Sequence, residues 1–413
     1  MTKPWRTAPL IALADYLNGY AFKPEDHTDE GLPIIRIEQL KDDNAEIDHY
    51  NKSVPENNLI RNGDLIFSWS ASLFLRIWDR GDAILNQHLF KVVPYDDVDK
   101  RYLKYCIEFN LPKLANSSHG STMKHITRKE LKRFHVSLPS EKTEQEKIAK
   151  ILATIDRAIA QTEALIAKHK RIKTGLMQDL LTRGVDEHGQ LRDVSTHRFK
   201  STPLGMIPVE WEVNQLKYYL SYISYGFTNP MPEADDGPYL ITAANVIDGK
   251  IDYQSCRHTT QDAYKRLLTA KSRPNKDDIL LTKDGTLGRL AIVDDKTLCI
   301  NQSVAVLRTN NKVEPAFLKT LLESSLYQKL MLDDAGGSTI KHIYVSKIDK
   351  MYLAMPKEIE ERQRLMEIIS CFEKKFETRV NELDKLLKLK QGLMQDLLSG
   401  RVPVTGLVEG GAG

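Results

Sequence analysis

Two nearly identical nonapeptides, KTGLMQDLL and KQGLMQDLL, end at Leu181 and Leu398, so the same segment recurs 217 residues later. The heptapeptides GSTMKHI (120–126) and GSTIKHI (337–343) repeat at the same offset. Matches of this length at one constant spacing indicate an internal duplication, which constrains the fold more than any other feature of the chain. The nonapeptide carries no nucleophile and no acid–base cluster. It therefore indicates a reused structural part rather than two copies of an active site.

The duplication extends over the whole chain, but its spacing is uneven. From Gly120 to Leu181 the repeat runs without a gap, and upstream the offset falls to 215 and then to 206. The upstream pairs are Asn86–Gln87 with Asn301–Gln302, and Trp5, Leu10 and Tyr16 with Trp211, Leu216 and Tyr222. Each half is thus a variable front section followed by a strictly phased back section. The second copy carries about eleven extra residues, all before Gly337.

The back sections are predicted to be long helices, because their apolar residues recur every three to four positions. Pro139 and Pro356 precede the helices, Gly184 and Gly400 follow their ends, and acidic residues crowd both first turns. About 40 residues correspond to roughly 60 Å of helix, which needs a partner along its length. The chain path makes the other helix the expected partner, in an antiparallel coiled coil. The predicted packing residues are Ile155, Ile159, Leu176, Leu180, Phe372, Phe376, Leu393 and Leu397.

The front sections combine apolar and aromatic runs, broken by turn residues, with one short helical pattern each. The predicted fold class is therefore α+β: two pseudo-symmetric mixed α/β domains separated by two long antiparallel helices. The expected boundaries are 1–140 for the first domain, 141–183 for its helix, 184–202 for a polar linker, 203–357 for the second domain, 358–400 for its helix and 401–413 for a C-terminal tail.

Composition excludes several classes of protein. Hydrophobic residues at 41% and charged residues at 28% are typical of a soluble globular chain. Four scattered cysteines predict neither a zinc site nor a disulfide framework and fit a reducing cytoplasm. No signal peptide or membrane span is expected. The histidines and carboxylates form no metal-binding or catalytic pattern.

Two related but unequal domains on paired helices suit a reader of a two-part sequence on a linear polymer, because half-site spacing mirrors protein geometry. The net charge of +3 permits DNA as a partner without requiring it. Two other classes stay open. One is a self-contained DNA methyltransferase or nuclease, and the other is a coiled-coil scaffold that binds only protein.

The paired GLMQDLL helix ends, the two GSTxKHI segments followed by LP and EQ or its counterpart, and PLGMIPVEWEVNQL resemble the specificity subunits of type I restriction-modification enzymes. The resemblance covers the chain in the order recognition domain, helix, recognition domain, helix. It implies a non-catalytic DNA-binding subunit whose 1–140 and 203–357 domains each recognise one half of a split, asymmetric target. It also implies that the helices act as a ruler for the unspecified gap and dock the partner subunits.

The partners implied by the resemblance are double-stranded DNA, two modification (methyltransferase) subunits and usually two restriction (translocase and nuclease) subunits. No cofactor is expected on this chain. S-adenosylmethionine, ATP and Mg²⁺ would be held by the partner subunits. The glycine-rich tail matches nothing in the family pattern and is left out of the argument.

The GSTxKHI segments have two open interpretations. Their hydroxyls, Lys124, His125, Lys341 and His342 are candidates for phosphate contacts, which are the commonest contacts between proteins and DNA. Alternatively, the motif packs each globular domain on its helix. The second interpretation is favoured, because two domains that recognise different sequences should differ where they contact bases.

The same reasoning places base recognition where the two copies diverge. The candidates in the first domain are Ser68, Trp69, Ser70 and Arg76. Those in the second are Tyr225, Thr228, Asn229, Lys283, Asp284 and Arg289. Arginine and lysine suit guanine, and asparagine suits adenine. Trp69 and Tyr225 have the alternative role of core aromatics. Asn86–Gln87 and Asn301–Gln302, shared by both copies, are expected to satisfy backbone groups instead.

Overall fold

The computed structural model describes residues 5–117, 125–336 and 341–404. The chain divides into two compact units, one formed by Met1–Leu165 with Arg379–Gly413 and the other by Ile166–Thr378. Each unit contains one globular part together with a segment of each long helix. The division therefore falls within the helices. The functional boundaries expected from the sequence stay a prediction.

The described part of the first unit contains short strands, three whole helices and a segment of each long helix. The strands are β1 (Trp5–Pro9), β2 (Ala14–Asn18), β3 (Leu32–Ile35), β4 (His49–Tyr50), β5 (Leu59–Ile60), β6 (Leu65–Ser68), β7 (Phe74–Ile77), β8 (Ala83–Leu85), β9 (Leu89–Pro94) and β10 (His135–Pro139). The helices are α1 (Ile37–Lys41), α2 (Lys100–Ser117), α3 (Arg128–Arg133) and α4 (Lys142–Arg183), of which the part up to Leu165 lies in this unit.

Two four-stranded sheets organise the globular part of the first unit. One has the order β2-β9-β6-β7 and is antiparallel throughout; the other has the order β4-β3-β8-β5, in which β3 and β8 are parallel. Every residue of β6 is buried, as expected for a fully covered strand. β1 pairs with β10, so the first described strand lies beside the strand that leads into α4.

In its described part the second unit contains thirteen strands, four whole helices and a segment of each long helix. The strands are β11 (Phe199–Thr202), β12 (Gly205–Pro208), β13 (Trp211–Gln215), β14 (Leu220–Tyr225), β15 (Glu233–Ile241), β16 (Val246–Ile247), β17 (Lys250–Ile251), β18 (Arg257–Thr259), β19 (Ile279–Thr282), β20 (Leu290–Ile292), β21 (Leu298–Ile300), β22 (Val304–Thr309) and β23 (Tyr352–Pro356). The helices are α5 (Gln261–Leu267), α6 (Pro315–Glu323), α7 (Ser325–Asp333), α8 (Val345–Ile348) and α9 (Ile359–Leu398), of which the part up to Thr378 lies in this unit.

The strand pairing of the second unit repeats that of the first. The order β14-β22-β19-β20 matches β2-β9-β6-β7, and the parallel pair β15–β21 matches β3–β8. β13 pairs with β23 so that Trp211 faces Pro356, just as Trp5 faces Pro139. The hairpins β11–β12 and β16–β17 are extra to this common plan. The internal duplication and the α+β fold class are confirmed.

The predicted long helices are α4, with 42 residues, and α9, with 40. Within the first unit, Asp156 of α4 pairs with Lys390 of α9 at 2.6 Å, and Leu152 shares a core with Leu397. Contacts that advance along one helix as they retreat along the other define an antiparallel pair. Within the second unit the equivalent ion pair joins Lys173 and Glu373 at 2.7 Å. The predicted antiparallel pairing is confirmed within each unit.

The predicted packing residues differ in how deeply they lie. Leu180 is buried in the core of the second unit and Leu397 in the core of the first, and Leu176 and Leu393 pack against these cores. Ile155 and Ile159 are also buried. Phe372 and Phe376 are only half-buried, and the Phe372 ring lies against His169. The repeated nonapeptide therefore attaches each helix end to a globular core.

The segment predicted to be an unpatterned linker is partly structural. Val185 and Arg192 are buried, and the Arg192 guanidinium makes a two-pronged ion pair with the Glu361 carboxylate near the start of α9. Trp211 Nε1–H donates to the same carboxylate at 3.0 Å, and the Val185 N–H does so at 3.2 Å. The segment is held by contacts to one buried carboxylate and by its own turn hydrogen bonds, and neither leaves a periodic signal in the sequence.

Candidate nucleic-acid interface

Three chain segments meet at one edge of each globular part, and the backbone contacts are the same in both. In the first unit the Gly19 N–H donates to Leu89 O at 3.1 Å and the Tyr20 N–H to Leu85 O at 2.6 Å. In the second unit the Gly226 N–H donates to Val304 O at 3.2 Å. A Cβ at Gly226 would lie 1.8 Å from Ile300 O, so only glycine allows this approach. The edge joins the end of β2 or β14 to the loop after β8 or β21.

The isoleucine that ends the shared motif attaches to the tip of the β6–β7 or β19–β20 hairpin. The Ile126 N–H donates to Trp69 O at 2.9 Å, and the Ile343 N–H donates to Lys283 O at 2.9 Å. Of the remaining motif, Ser121, Thr122, Lys124, Ser338 and Thr339 lie outside the described residues. In its described part the motif thus makes backbone pairs with the hairpin tip of its own globular part. Packing of the motif on the helix stays a prediction.

The two hairpin tips have the same internal turn. The Ser68 hydroxyl donates to Ser72 O at 2.5 Å, and the Thr282 hydroxyl donates to Thr286 O at the matching position. Ala71 and Gly285 both have a positive φ, 57° and 76°. Ser68 is fully buried, so this predicted base-contacting residue shapes the turn and offers no free hydroxyl at the surface.

In the first unit, the predicted residues lie among aromatic rings and carboxylates. The Trp69 ring stacks on Phe90 with centroids 5.4 Å apart and touches His125 at 5.9 Å. Ser70 is buried and pairs with His125 as a β-bridge. Arg76 donates to Leu40 O and to the Asp43 carboxylate. Trp69 therefore has a packing role, and the charge of Arg76 is engaged within the unit.

In the second unit, several predicted residues come together. The Tyr225 ring is 44% exposed, and the Lys283 and Lys271 ammonium groups lie 5.4 Å and 5.9 Å from its centre. Lys283 donates to the Asp284 carboxylate at 2.7 Å, and His342 donates to the same carboxylate at 2.5 Å. The result is an exposed aromatic ring bordered by cations, a surface chemistry suited to nucleic acid.

The charge state of Asp284 follows from its partners. Burial alone would raise the pKa of this carboxyl, but the hydrogen bonds and charges of Lys283 and His342 outweigh burial and lower the pKa below its ordinary value. Asp284 is therefore ionised at neutral pH. It holds both basic side chains at the hairpin tip.

Other predicted residues of the second unit lie on its surface. Thr228, Asn229 and Lys341 are exposed, the first two in the loop that follows β14. Arg289 is exposed but donates to Val246 O at 3.1 Å. Lys271 was missed by sequence reasoning because the repeat offset changes around it, which hides its equivalence to a residue of the first unit.

The shared asparagines act on the backbone, as expected. Asn86 Oδ1 accepts the His88 N–H at 3.2 Å, and Asn301 Oδ1 accepts the Ser303 N–H at 3.1 Å. Among the described residues no three histidine, cysteine or acidic side chains form a group that could hold a metal ion. In the same part of the chain no helix has the length and apolarity needed to cross a membrane.

A family model for the type I restriction modification DNA specificity domain matches residues 2–170 and 233–388. The Escherichia coli type I restriction enzyme EcoBI specificity subunit is 24% identical over 96% of this chain and 86% of its own length. The MjaVIII specificity subunit of Methanocaldococcus jannaschii is also 24% identical, over 98% of this chain and 94% of its own.

Solved structures show the same fold. A chain from a study of complex assembly and conformational transition of the type I R-M system superposes with a TM-score of 0.62 at 17% identity, covering 97% of this chain and all of that one. The type I restriction-modification system S subunit from M. genitalium gives a TM-score of 0.56 at 15% identity, with 96% of both chains covered.

The duplicated α+β units, most of whose residues match the DNA specificity domain, place the chain in the class of DNA-specificity proteins. The chain belongs to the family of type I restriction-modification DNA specificity subunits.

Proposed function

We propose that this chain recognises a split, asymmetric DNA target, with one globular part contacting each half-site. The observation that carries the proposal is the equivalence of the two edges. Gly19 and Gly226, and Ile126 and Ile343, make the same backbone contacts, while the hairpin-tip residues Trp69 and Lys283 differ. A shared frame with different side chains is expected of two modules that bind the same polymer and recognise different sequences.

The helices are proposed to set the unspecified gap and to dock the partner subunits. Two equivalent apolar residues support the docking role. Ile172 of α4 and Leu389 of α9 occupy the same repeat position and are 44% and 52% exposed. Apolar side chains at matched positions, one in each unit, suit two identical modification subunits. Restriction subunits would join the same assembly. The nonapeptide leucines Leu180 and Leu397 are already buried and are not available for docking.

The chain is proposed to be non-catalytic and to hold no cofactor of its own. S-adenosylmethionine would be bound by the modification subunits, and ATP and Mg²⁺ by the restriction subunits. Because methyl transfer is assigned to the modification subunits, the proposal can be tested directly. The purified chain is incubated with DNA and methyl-labelled S-adenosylmethionine, alone and with its modification subunits, and the methylated sites are sequenced.

The expected result is label in DNA only when the modification subunits are present, at a two-part motif with an unspecified gap. Methyl transfer by the chain alone would establish a self-contained methyltransferase and overturn the proposal. A complex that methylates DNA without any sequence preference would overturn the recognition role. A chain that binds partner subunits but not DNA in any combination would be a protein scaffold.

A further inference from the structure

The edge at which the end of β2 or β14 meets the loop after β8 or β21 is called the recognition edge. Three positions at this edge are equivalent in the two units, are exposed or partly exposed, and carry chemically different side chains. Asn18 ends β2 as Tyr225 ends β14, because they face Phe90 and Ala305 at matching points of the sheet. Trp69 and Lys283 are equivalent because each accepts the N–H of the isoleucine in the KHI sequence. The third position is Asn57 in the first unit and Lys271 in the second.

The equivalence of Asn57 and Lys271 follows from the turn that comes after them. The Arg61 N–H donates to the Asp64 carboxylate at 2.8 Å, and the Asn275 N–H donates to the Asp278 carboxylate at 2.7 Å. Both turns lead directly into the buried strands β6 and β19. Counting back from these turns by the same number of residues reaches Asn57 and Lys271.

The three positions lie together in space in each unit. In the second unit the Tyr225 ring has the Lys271 and Lys283 ammonium groups within 6 Å of its centre. In the first unit Asn58 Nδ2–H donates to Asn18 O at 2.8 Å, which ties the Asn57 segment to the end of β2. Trp69 stacks on Phe90, the strand partner of Asn18.

The chemistry of this cluster differs sharply between the units. The first unit presents the amides of Asn18 and Asn57, and both side chains are exposed, although Asn18 Oδ1 accepts a hydrogen bond from the Arg128 guanidinium at 3.4 Å. The second unit presents the ammonium group of the exposed Lys271 and that of Lys283, which Asp284 holds in place. In the major groove an amide matches the N6 donor and N7 acceptor of adenine, whereas an ammonium group donates to O6 and N7 of guanine.

We propose that this three-position cluster determines base preference, so that Asn18 and Asn57 direct the first unit to adenine and Lys271 and Lys283 direct the second unit to guanine. The inference rests on the proposed function and goes further, because it assigns base identity to named side chains. The shared His342 is then a positioning residue. It acts through Asp284, which also binds Lys283.

The test is selection from a random double-stranded DNA library by the chain assembled with its modification subunits, followed by sequencing of the bound DNA. The variants are Lys271→Asn, Lys283→Asn, Asn57→Lys and the matched control Lys276→Asn. Lys276 is an exposed lysine that precedes β19, at the opposite end of the strand from Lys283, where it pairs with Asp295 at 2.7 Å. Thermal melting of each variant checks that it is folded.

The wild-type complex is expected to select a split motif with guanine in one half-site. Lys271→Asn should reduce the preference for guanine at one position of that half-site by about tenfold. Asn57→Lys should change an adenine position in the other half-site, and Lys276→Asn should leave the motif unchanged.

Three results would overturn the assignment. One is an unchanged motif in folded Lys271→Asn and Lys283→Asn complexes. Another is an equal loss of affinity for all sequences, which would mark a phosphate contact. The third is a change in the same half-site for Lys271→Asn and Asn57→Lys. Failure of the wild-type complex to select any split motif would instead contradict the proposed function itself.

Discussion

Glu361 is one buried side chain that joins the segment after α4, the strand β13 and the start of α9. Its carboxylate accepts hydrogen bonds from Arg192, Trp211 and the Val185 backbone, and it is almost fully buried. A buried ion pair adds little net stability over an apolar pair, but removing one partner leaves an uncompensated charge in the interior. The segment after α4 is therefore held by chemistry that no periodicity could indicate.

Replacement of Arg192 by methionine should lower the free energy of unfolding by about 3–5 kcal/mol, because Glu361 would remain buried without its cation. Lys173→Ala is the matched control. Its partner Glu373 is 53% exposed, so this change should cost less than about 1 kcal/mol. Urea denaturation of the two variants measures the difference. Equal destabilisation by both changes would contradict the role given to Glu361.

Gly226 is a second residue whose role is steric. Gly226→Ala would force a Cβ against Ile300 O, so the loop at the recognition edge should rearrange and DNA binding should fall at least tenfold. Gly392→Ala is the control, since a Cβ there meets no atom within 4 Å. Alanine in a helix interior should raise stability by about 0.5–1 kcal/mol. Tight DNA binding by Gly226→Ala would show that the edge is not the interface.

At the scale of the element, the two long helices are anchored at equivalent points by different residues. Gln145 Nε2–H donates to Pro139 O at 3.0 Å, and its oxygen accepts the Asp99 N–H at 2.9 Å. At the same position in α9, the Arg362 guanidinium donates to Pro356 O at 2.9 Å and pairs with Glu314. The apolar spacing predicts both helices from the sequence. It does not predict this anchoring, because an amide and a guanidinium at the same repeat position share no sequence signature.

Alanine substitutions in the repeated nonapeptide and at the residue before it should distinguish residues that pack the core from residues that dock partner subunits. Leu180→Ala or Leu397→Ala should each destabilise the unit that buries the side chain by about 2–5 kcal/mol. Ile172→Ala and Leu389→Ala should leave thermal stability almost unchanged and weaken binding of the modification subunits. Calorimetry and titration with those subunits provide the two measurements. Undiminished subunit binding by the double variant Ile172→Ala/Leu389→Ala would refute the docking surface.

For the whole molecule, the proposed ruler makes a geometric prediction. Insertion of one heptad at the centre of both α4 and α9 adds about 10.5 Å of helix, which corresponds to roughly three base pairs. The unspecified gap of the target should lengthen by that amount, and both half-site sequences should stay the same. Library selection with the assembled complex measures both. An altered half-site, or an unaltered gap in a folded variant, would disprove the ruler.

The sequence by itself determined the duplication, the two long helices, their antiparallel pairing and the family. These features depend on patterns that recur along the chain, and apolar spacing is local information. The tertiary structure alone decided which divergent residues meet. Lys271 and Tyr225 are far apart in sequence, but the Lys271 ammonium group lies 5.9 Å from the centre of the Tyr225 ring. The Val185 N–H and the Arg192 guanidinium donate to a carboxylate 169 or more residues away. Such contacts depend on how strands and turns are placed in space, and side-chain identity along the chain does not encode that placement in any local pattern.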